Sequence, residues 1–395
     1  MEPTKYNIQL LTSVNDMQKV HDEWSDFLAK DASEHLLWQH PDIIIQKSLH
    51  HAYKNLLIVI IRQGGIIICI GPCIIIQKKF PLTFSIFHLP TPSVRILKIL
   101  GNKLIYSRKA NKKKCIEILF TQLKKKADQF DFIHFDNFLH ESTLANFFNH
   151  LPQKKYNSFQ LKYCSPKREY SWKHVLHPTY TDWIATLGKS TRRLIKRRIN
   201  KLYKIYPNQV EFNKIQGENE VPTYLDLLNK LYPKTWQAKT FGARKRNCEA
   251  DIAFFRSLAQ HNWLRSYILR INGNPVAFFT GIQYNKRFEA IEIGYDSAFS
   301  SLGIGSALSY LVIQDLYNND KPIHLDFGFG ENKYKEMICT DKFPASEAYI
   351  IVPNMLSNLV RMQRTLYTLE NYLRFIIIKF HIDNFIRSIL KRKRP

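Results

Sequence analysis

Two glycines two residues apart, in Ser300-Ser301-Leu302-Gly303-Ile304-Gly305-Ser306, separate a strand-like run from a helix-like one. Ile291 and Ile293 alternate before them; Ile304, Leu308, Leu311, Val312 and Leu316 share one helical face after them. Glycine at such a turn lets backbone approach a ligand closely. The first amides of the helix have no partner inside it and lie at the positive end of its dipole, where a pyrophosphate is well accommodated. An ordinary tight turn would show the same pair, so the spacing alone leaves both readings open. Glu292 in the run before the turn, and Asp326, Tyr334 and Lys335 in the runs after it, are polar residues to which the spacing by itself assigns no role. A plain structural role is open to each. Glu292 could face solvent, Asp326 could cap the turn FGFGEN, Tyr334 could pack, and Lys335 could be solvated surface.

Other chemistries find no support. The six cysteines (Cys69, Cys73, Cys115, Cys164, Cys248, Cys339) are scattered and form no CxxC pair. The fourteen histidines show no metal-ligand spacing, so no metal is expected. No GxGxxG follows a first strand, no GxxxxGK[ST] occurs, and no nucleophile elbow stands out. The start of the chain lacks a basic region followed by an apolar core, and with sparse cysteines this suggests a reduced, cytoplasmic protein.

The chain has 395 residues, 45% of them hydrophobic, which is enough to bury cores in two or three domains. Helical spacing is expected over Asn15–Lys30 and Lys112–Gln129. The run Leu56–Ile76 is long enough to cross a bilayer, but Arg62, Gly64-Gly65 and Gly71-Pro72 interrupt it, so a β-hairpin is expected. A polar connector, Ser165–Thr181, leads into Lys189–Lys204, a helix with eight basic residues, no acid and an N-cap at Ser190 or Thr191. Helices are expected over Thr223–Ala238 and Glu249–Gln260. Three strands follow, turning at Asn272-Gly273 and Asn285-Lys286; then come the Gly303 turn, a helix, a strand, a helix and a strand. The stretch 354–395 is amphipathic and helical in pattern, holds nine basic and two acidic residues, and ends in KRKR before Pro395.

At these residues the sequence resembles the GNAT acyltransferase superfamily, whose coenzyme-A loop reads Gln/Arg-x-x-Gly-x-Gly/Ala. Here the loop is Ser300-x-x-Gly303-x-Gly305, with Ser replacing the usual first residue. LDFGFGENKYKE (Leu325–Glu336) resembles the DFGxG…YK element of the acetyltransferase family typified by the cellulose-biosynthesis protein CelD. DWIATLGKSTRRLIKRR, KLYPKTW and NGNPVAFFTG resemble further elements of that family, and the likeness extends from about Trp24 to Pro353. It implies an α/β (α+β) fold of two GNAT-like lobes, each a mixed, mostly antiparallel sheet flanked by helices. Residues 1–165 would be a degenerate lobe, 166–353 the acyltransferase lobe and 354–395 a basic helical tail.

The resemblance further implies transfer of an acyl group, with acetyl-CoA or another acyl-CoA as donor, to an amine of a small molecule or a cell-envelope or polysaccharide precursor. The strands before and after the loop would splay apart around the thioester arm. Ser300, Leu302, Gly303, Ile304, Gly305, Ser306 and Lys335 would hold the cofactor. Glu292 or Asp326 would serve as base, and Tyr334 would protonate the leaving thiolate.

The charge, 58 Lys and Arg against 33 Asp and Glu, attracts polyanions whatever the fold. It keeps two other readings open. One is a FemABX-like transferase of two similar lobes, which takes its donor from aminoacyl-tRNA. The other is a non-catalytic binder of anions or of a membrane surface, with Phe375, Ile376, Ile377 and Phe380 in the lipid interface and KRKR at the headgroups.

Overall fold

The computed structural model describes residues 6–84, 87–150, 159–163, 169–242, 248–330, 333–351 and 356–379. The chain forms two compact units. Met1–Ser33, Tyr53–Glu169 and Pro344–Pro395 make the first; Glu34–Ala52 and Tyr170–Phe343 make the second. Division by sequence at residues 165 and 353 would keep Glu34–Ala52 with the first lobe and residues 344–353 with the second. Packing groups both the other way.

The first unit opens with β1 (Tyr6–Leu11), α1 (Val14–Lys19) and α2 (His21–Lys30). One helix is expected from the spacing; Val20, at φ −113°, divides it in two. The next helix, α3 (Pro41–Leu49), lies in the stretch that joins the second unit. The long apolar run is a hairpin, as expected: β2 (Asn55–Gln63) and β3 (Ile66–Lys79) pair antiparallel across Gly64-Gly65. It mimics a membrane span because Leu56 to Ile61 are all buried, leaving no polar alternation to read. After it come β4 (Thr83–Phe84), β5 (Phe87–His88), β6 (Ser93–Ile99), β7 (Ile105–Tyr106), α4 (Lys112–Lys125), β8 (Phe132–Leu139), α5 (Thr143–Asn149) and β9 (Gln160–Tyr163). The sheet runs β1-β2-β3-β6-β8, with β6 and β8 parallel through Ile96↔Phe132 and Leu97↔Ile133. α4 and α5 cover one face with Cys115, Leu119, Phe120 and Leu144.

The second unit begins inside the expected connector. Residues there form β10 (Glu169–Val175), whose inward side chains, Trp172 and His174, carry polar tips that hide the strand signal. α6 (Tyr180–Thr186) follows, then α7 (Lys189–Ile205), which starts from Gly188 rather than from a side-chain cap at Ser190 or Thr191. β11 (Val210–Ile215), α8 (Val221–Leu231), α9 (Trp236–Phe241) and α10 (Glu249–Gln260) come next. The helix expected over Thr223–Ala238 breaks at the 3-10 turn Tyr232–Lys234, where Pro233 cannot donate its amide, and Thr235 caps α9.

The meander is as expected: β12 (Ser266–Ile271), β13 (Asn274–Tyr284) and β14 (Arg287–Tyr295), with positive φ at Asn272, Gly273, Asn285 and Lys286. A 3-10 turn, α11 (Ile304–Asp315), β15 (His324–Phe329), α12 (Lys333–Ile338) and β16 (Asp341–Ile351) complete the run before α13 (Ser357–Lys379). The sheet order is β10-β15-β14-β13-β12-β11. One face packs Tyr267, Leu269 and Phe279 against α7 and α11; the other packs Ile268, Phe278 and Ile282 against α8, α10 and Ile43 of α3.

Candidate active site

β14 and β15 lie side by side and parallel, but their register comprises Arg287↔His324, Phe288↔Leu325 and Glu289↔Asp326. Past Glu289 and Asp326 the strands part. β14 stays with β13 on one side, and β15 stays with β10 on the other. A bulge accounts for the departure. Gly281 stands opposite Ala290 and Thr280 opposite Glu292, so Ile291 is an extra residue that bends β14 locally. Gln237 of α9 donates 2.6 Å from Nε2 to the Ile293 carbonyl, while its Oε1 is buried without a partner among the described residues.

β14 delivers the chain into the glycine turn. Asp296 accepts from the Ala298 amide at 2.9 Å and starts the 3-10 turn Ser297–Leu302. Gly303 then reverses the chain at φ 64°, ψ 35°, a left-handed conformation that favours glycine. Its amide donates to Ser300 O, and its carbonyl accepts from Ser306 and Ala307, each at 3.1 Å. The amides of Ile304 and Gly305, in the first turn of α11, have no helical carbonyl four residues back to bond. Gly305 lets the helix sit on β14, since a Cβ there would meet Tyr295 Cδ1 at 2.7 Å. Cations from α7 lie on this turn: Arg198 passes over Gly303, and Lys201 Nζ donates 3.2 Å to Ser301 O.

Residues 189–336 match the acetyltransferase (GNAT) domain family model. The matched segment runs from the first residue of α7 into α12, and so contains the parted strands, the glycine turn and the helix that crosses it. Solved structures that share the fold include FemX and a synthetase domain. FemX covers 88% of this chain and 98% of its own, at 9% identity and a TM-score of 0.56. A C-terminal domain assigned to a lysylphosphatidylglycerol synthetase of Agrobacterium fabrum covers 89% and 97%, at 8% identity and a TM-score of 0.52. Comparison with curated proteins finds no match.

Within the matched segment, Glu292 is half-buried on β14. It stands opposite Thr280, whose hydroxyl is 2.7 Å from Tyr224 OH of α8, so the register gives Glu292 the α8 face of the sheet. Tyr334 packs with Phe327 and Ile338 in the core on the α11 face. Burial, with the neighbouring Cys339, pushes its phenol up to about 12.

Asp326 and Lys335 are engaged in holding backbone. Asp326 is buried, pairs with Arg287 Nη2, and accepts the Gly328 amide at 2.7 Å, which is the turn-capping role weighed for it above. Lys335 is also buried, not solvated surface. Its ammonium donates to the carbonyls of Gly328, Phe329 and Gly330 at 3.4, 2.9 and 3.2 Å, which occupies all three protons. Burial lowers its pKa. Of the remaining turn residues, Ser300 is exposed, Leu302 and Ser306 are half-buried, and Ile304 is buried in the core.

Four residues of the site went unread in the sequence. Arg198 lay within a run legible only as a basic helix face. Gln237 had no neighbour to mark it. Glu289 stands in the last pair before the parting, where Trp38 Nε1 donates to it at 3.1 Å and burial raises its pKa. Arg287 joins Asp326 to Glu34, 3.5 Å away. The last two depend on Glu34–Ala52, more than two hundred residues distant in the chain. Among the described residues, no group of three or more His, Cys, Asp and Glu could hold a metal ion.

Proposed function

We propose that the chain is an acyl-CoA-dependent N-acyltransferase of the CelD type, acting with acetyl-CoA or another acyl-CoA on an amine of a small molecule or a cell-envelope or polysaccharide precursor. What carries the reading is the parting of β14 from β15 beside the Gly303 turn, inside a segment that matches the GNAT acetyltransferase model. The donor's pyrophosphate would bind the amides of Ile304 and Gly305 with the guanidinium of Arg198, and its thioester arm would run between the parted strands.

Glu292 then takes a proton from the acceptor's ammonium, directly or through a water, so that the free amine can attack the thioester carbonyl. Collapse of the tetrahedral adduct breaks the C–S bond; Tyr334 gives its proton to the departing thiolate, and the new amide nitrogen sheds its surplus proton to water, from which Tyr334 is reprotonated. A phenol titrating near 12 stays protonated at neutral pH, as this step requires. Base and acid approach from opposite faces of the sheet, which suits an acceptor and a donor that enter from opposite sides. Asp326 and Lys335 shape the turn after β15 in this scheme. A cytoplasmic setting fits the use of acyl-CoA.

A second reading, the FemABX-like transferase that takes its donor from aminoacyl-tRNA, draws on the fold shared with FemX and on the eight basic residues of Lys189–Lys204. Thermal-shift titration separates the two. Stabilisation by acetyl-CoA and CoA that is lost in Arg198→Ala and Gly303→Trp supports the first. A shift with bulk tRNA alone, unchanged by either substitution, sinks it in favour of the second.

A further inference from the structure

We propose that α13 docks this protein on an anionic lipid bilayer. α13 is 23 residues long, and its first half is fastened to the first unit. Val360 is buried there beside Phe80, Ile96 and Tyr349, with Leu359, Leu366 and Tyr367 packed around it. Gln363 accepts from the Thr83 amide at 2.8 Å and donates to the Thr83 carbonyl at 3.3 Å. That face explains the apolar residues at 359, 360, 366 and 367, with Gln363 tied down among them. It leaves a second set unexplained.

Met362, Leu369, Tyr372 and Leu373 are 45%, 45%, 61% and 40% exposed. They recur at seven, ten and eleven residues from Met362, so they form one exposed stripe along the helix that borders the packed face, with Leu373 seven residues beyond Leu366. Four of the thirteen large apolar side chains exposed among the described residues belong to this one helix. Isolated exposed apolar residues need no explanation, but an aligned stripe does.

Charge decides which occupant suits it. Arg361 and Arg364 are exposed on the same helix. The sequence from residue 354 onward holds nine basic residues to two acidic and closes with Lys391, Arg392, Lys393 and Arg394. A second copy of so basic a helix would repel the first. Anionic headgroups attract it while the acyl boundary takes up the stripe, each basic residue near the surface strengthening binding roughly five-fold. The stripe differs from the one expected from sequence: side chains of Phe375 and Ile377, and residue Phe380, lie outside the described residues. Among those residues no helix is long and apolar enough to cross a membrane, so α13 would lie on the surface.

The test is flotation of the full chain with vesicles of phosphatidylglycerol and phosphatidylcholine in equal parts, against phosphatidylcholine alone, at low and high salt. The protein is expected to float with the anionic vesicles at low salt and to be released as salt rises. Leu369→Glu with Leu373→Glu should weaken binding by about ten-fold or more while leaving the thermal midpoint unchanged, since both side chains are exposed. Failure to float with anionic vesicles at low salt overturns the proposal. So does flotation that survives the double substitution, or a dimer by light scattering that the same substitution dissociates. None of these outcomes depends on the acyltransferase reading.

Discussion

A Cβ on Gly303 would stand 2.9 Å from Nε and 3.1 Å from Cδ of Arg198. The two residues are 105 positions apart, one in the most basic helix of the second unit and the other at the start of α11. Their closeness puts a guanidinium beside the unpaired amides of a helix N-terminus, two features that attract the same anion.

Gly303→Ala should therefore lose on two counts. A Cβ at φ 64° costs about 1 kcal/mol in strain, and Arg198 must move. The thermal midpoint is expected to fall by roughly 3 °C and stabilisation by CoA to vanish. Gly303→Asn tolerates the left-handed backbone better, so it should recover much of the midpoint without recovering the ligand shift. Recovery of both would show that the turn does not hold the donor.

Arg198→Ala should keep the fold, because the side chain is only half-buried, and weaken CoA binding about ten-fold. Arg198→Lys should recover part of the loss, since a point charge replaces a planar fork. The dissociation constant, measured by calorimetry at two salt concentrations, checks both. A constant that does not move in Arg198→Ala removes the guanidinium from the site.

Arg287 and Asp326 form a pair that breaks badly. Arg287→Ala would leave the Asp326 carboxylate buried, with the Gly328 amide as its remaining partner named above, at a cost of about 3 kcal/mol. Asp326→Asn keeps an acceptor for Gly328 and should lose less. Urea unfolding of the two variants orders them; the reverse order would mean that the Asp326 charge does more for the fold than pair with Arg287.

His174 is buried, with Nε2 2.8 Å from Tyr317 OH. Burial, followed by the charge on His177, lowers its pKa to about 4. The unfolded chain titrates this group near 6.5, so between those values it binds more protons than the folded one does. Stability is then complete above about pH 6.5 and lost as pH falls toward 4, by about 3 kcal/mol from this residue. Thermal midpoints from pH 8 to 4 should fall less steeply in His174→Gln than in the parent; identical slopes would mean the imidazole does not titrate in this range.

Local signals carried much of the second unit. Asn272-Gly273 and Asn285-Lys286 fixed the turns that divide β12, β13 and β14, and Gly303-x-Gly305 marked the start of α11, because each is written in adjacent residues. Gly64-Gly65 likewise separated the hairpin from a membrane helix. β10 escaped because its inward residues, Trp172 and His174, do not look apolar in a pattern.

The site was legible in part. Spacing brought out the two glycines and the family resemblance pointed to Glu292 and Tyr334, yet neither could say that the protons of Lys335 are taken by three carbonyls, or that Asp326 is paired with Arg287. Sequence determined the elements, their order and the charge they carry. Tertiary structure decided which cation crosses the Gly303 turn, that β14 leaves β15 after three pairs, and that Glu34–Ala52 packs with the second unit to place Trp38 on Glu289. The reason is physical: a helix, a strand or a turn is set by neighbours a few residues away, whereas the partner of a buried charge is whichever side chain the packing brings within 3 Å, however distant in the chain.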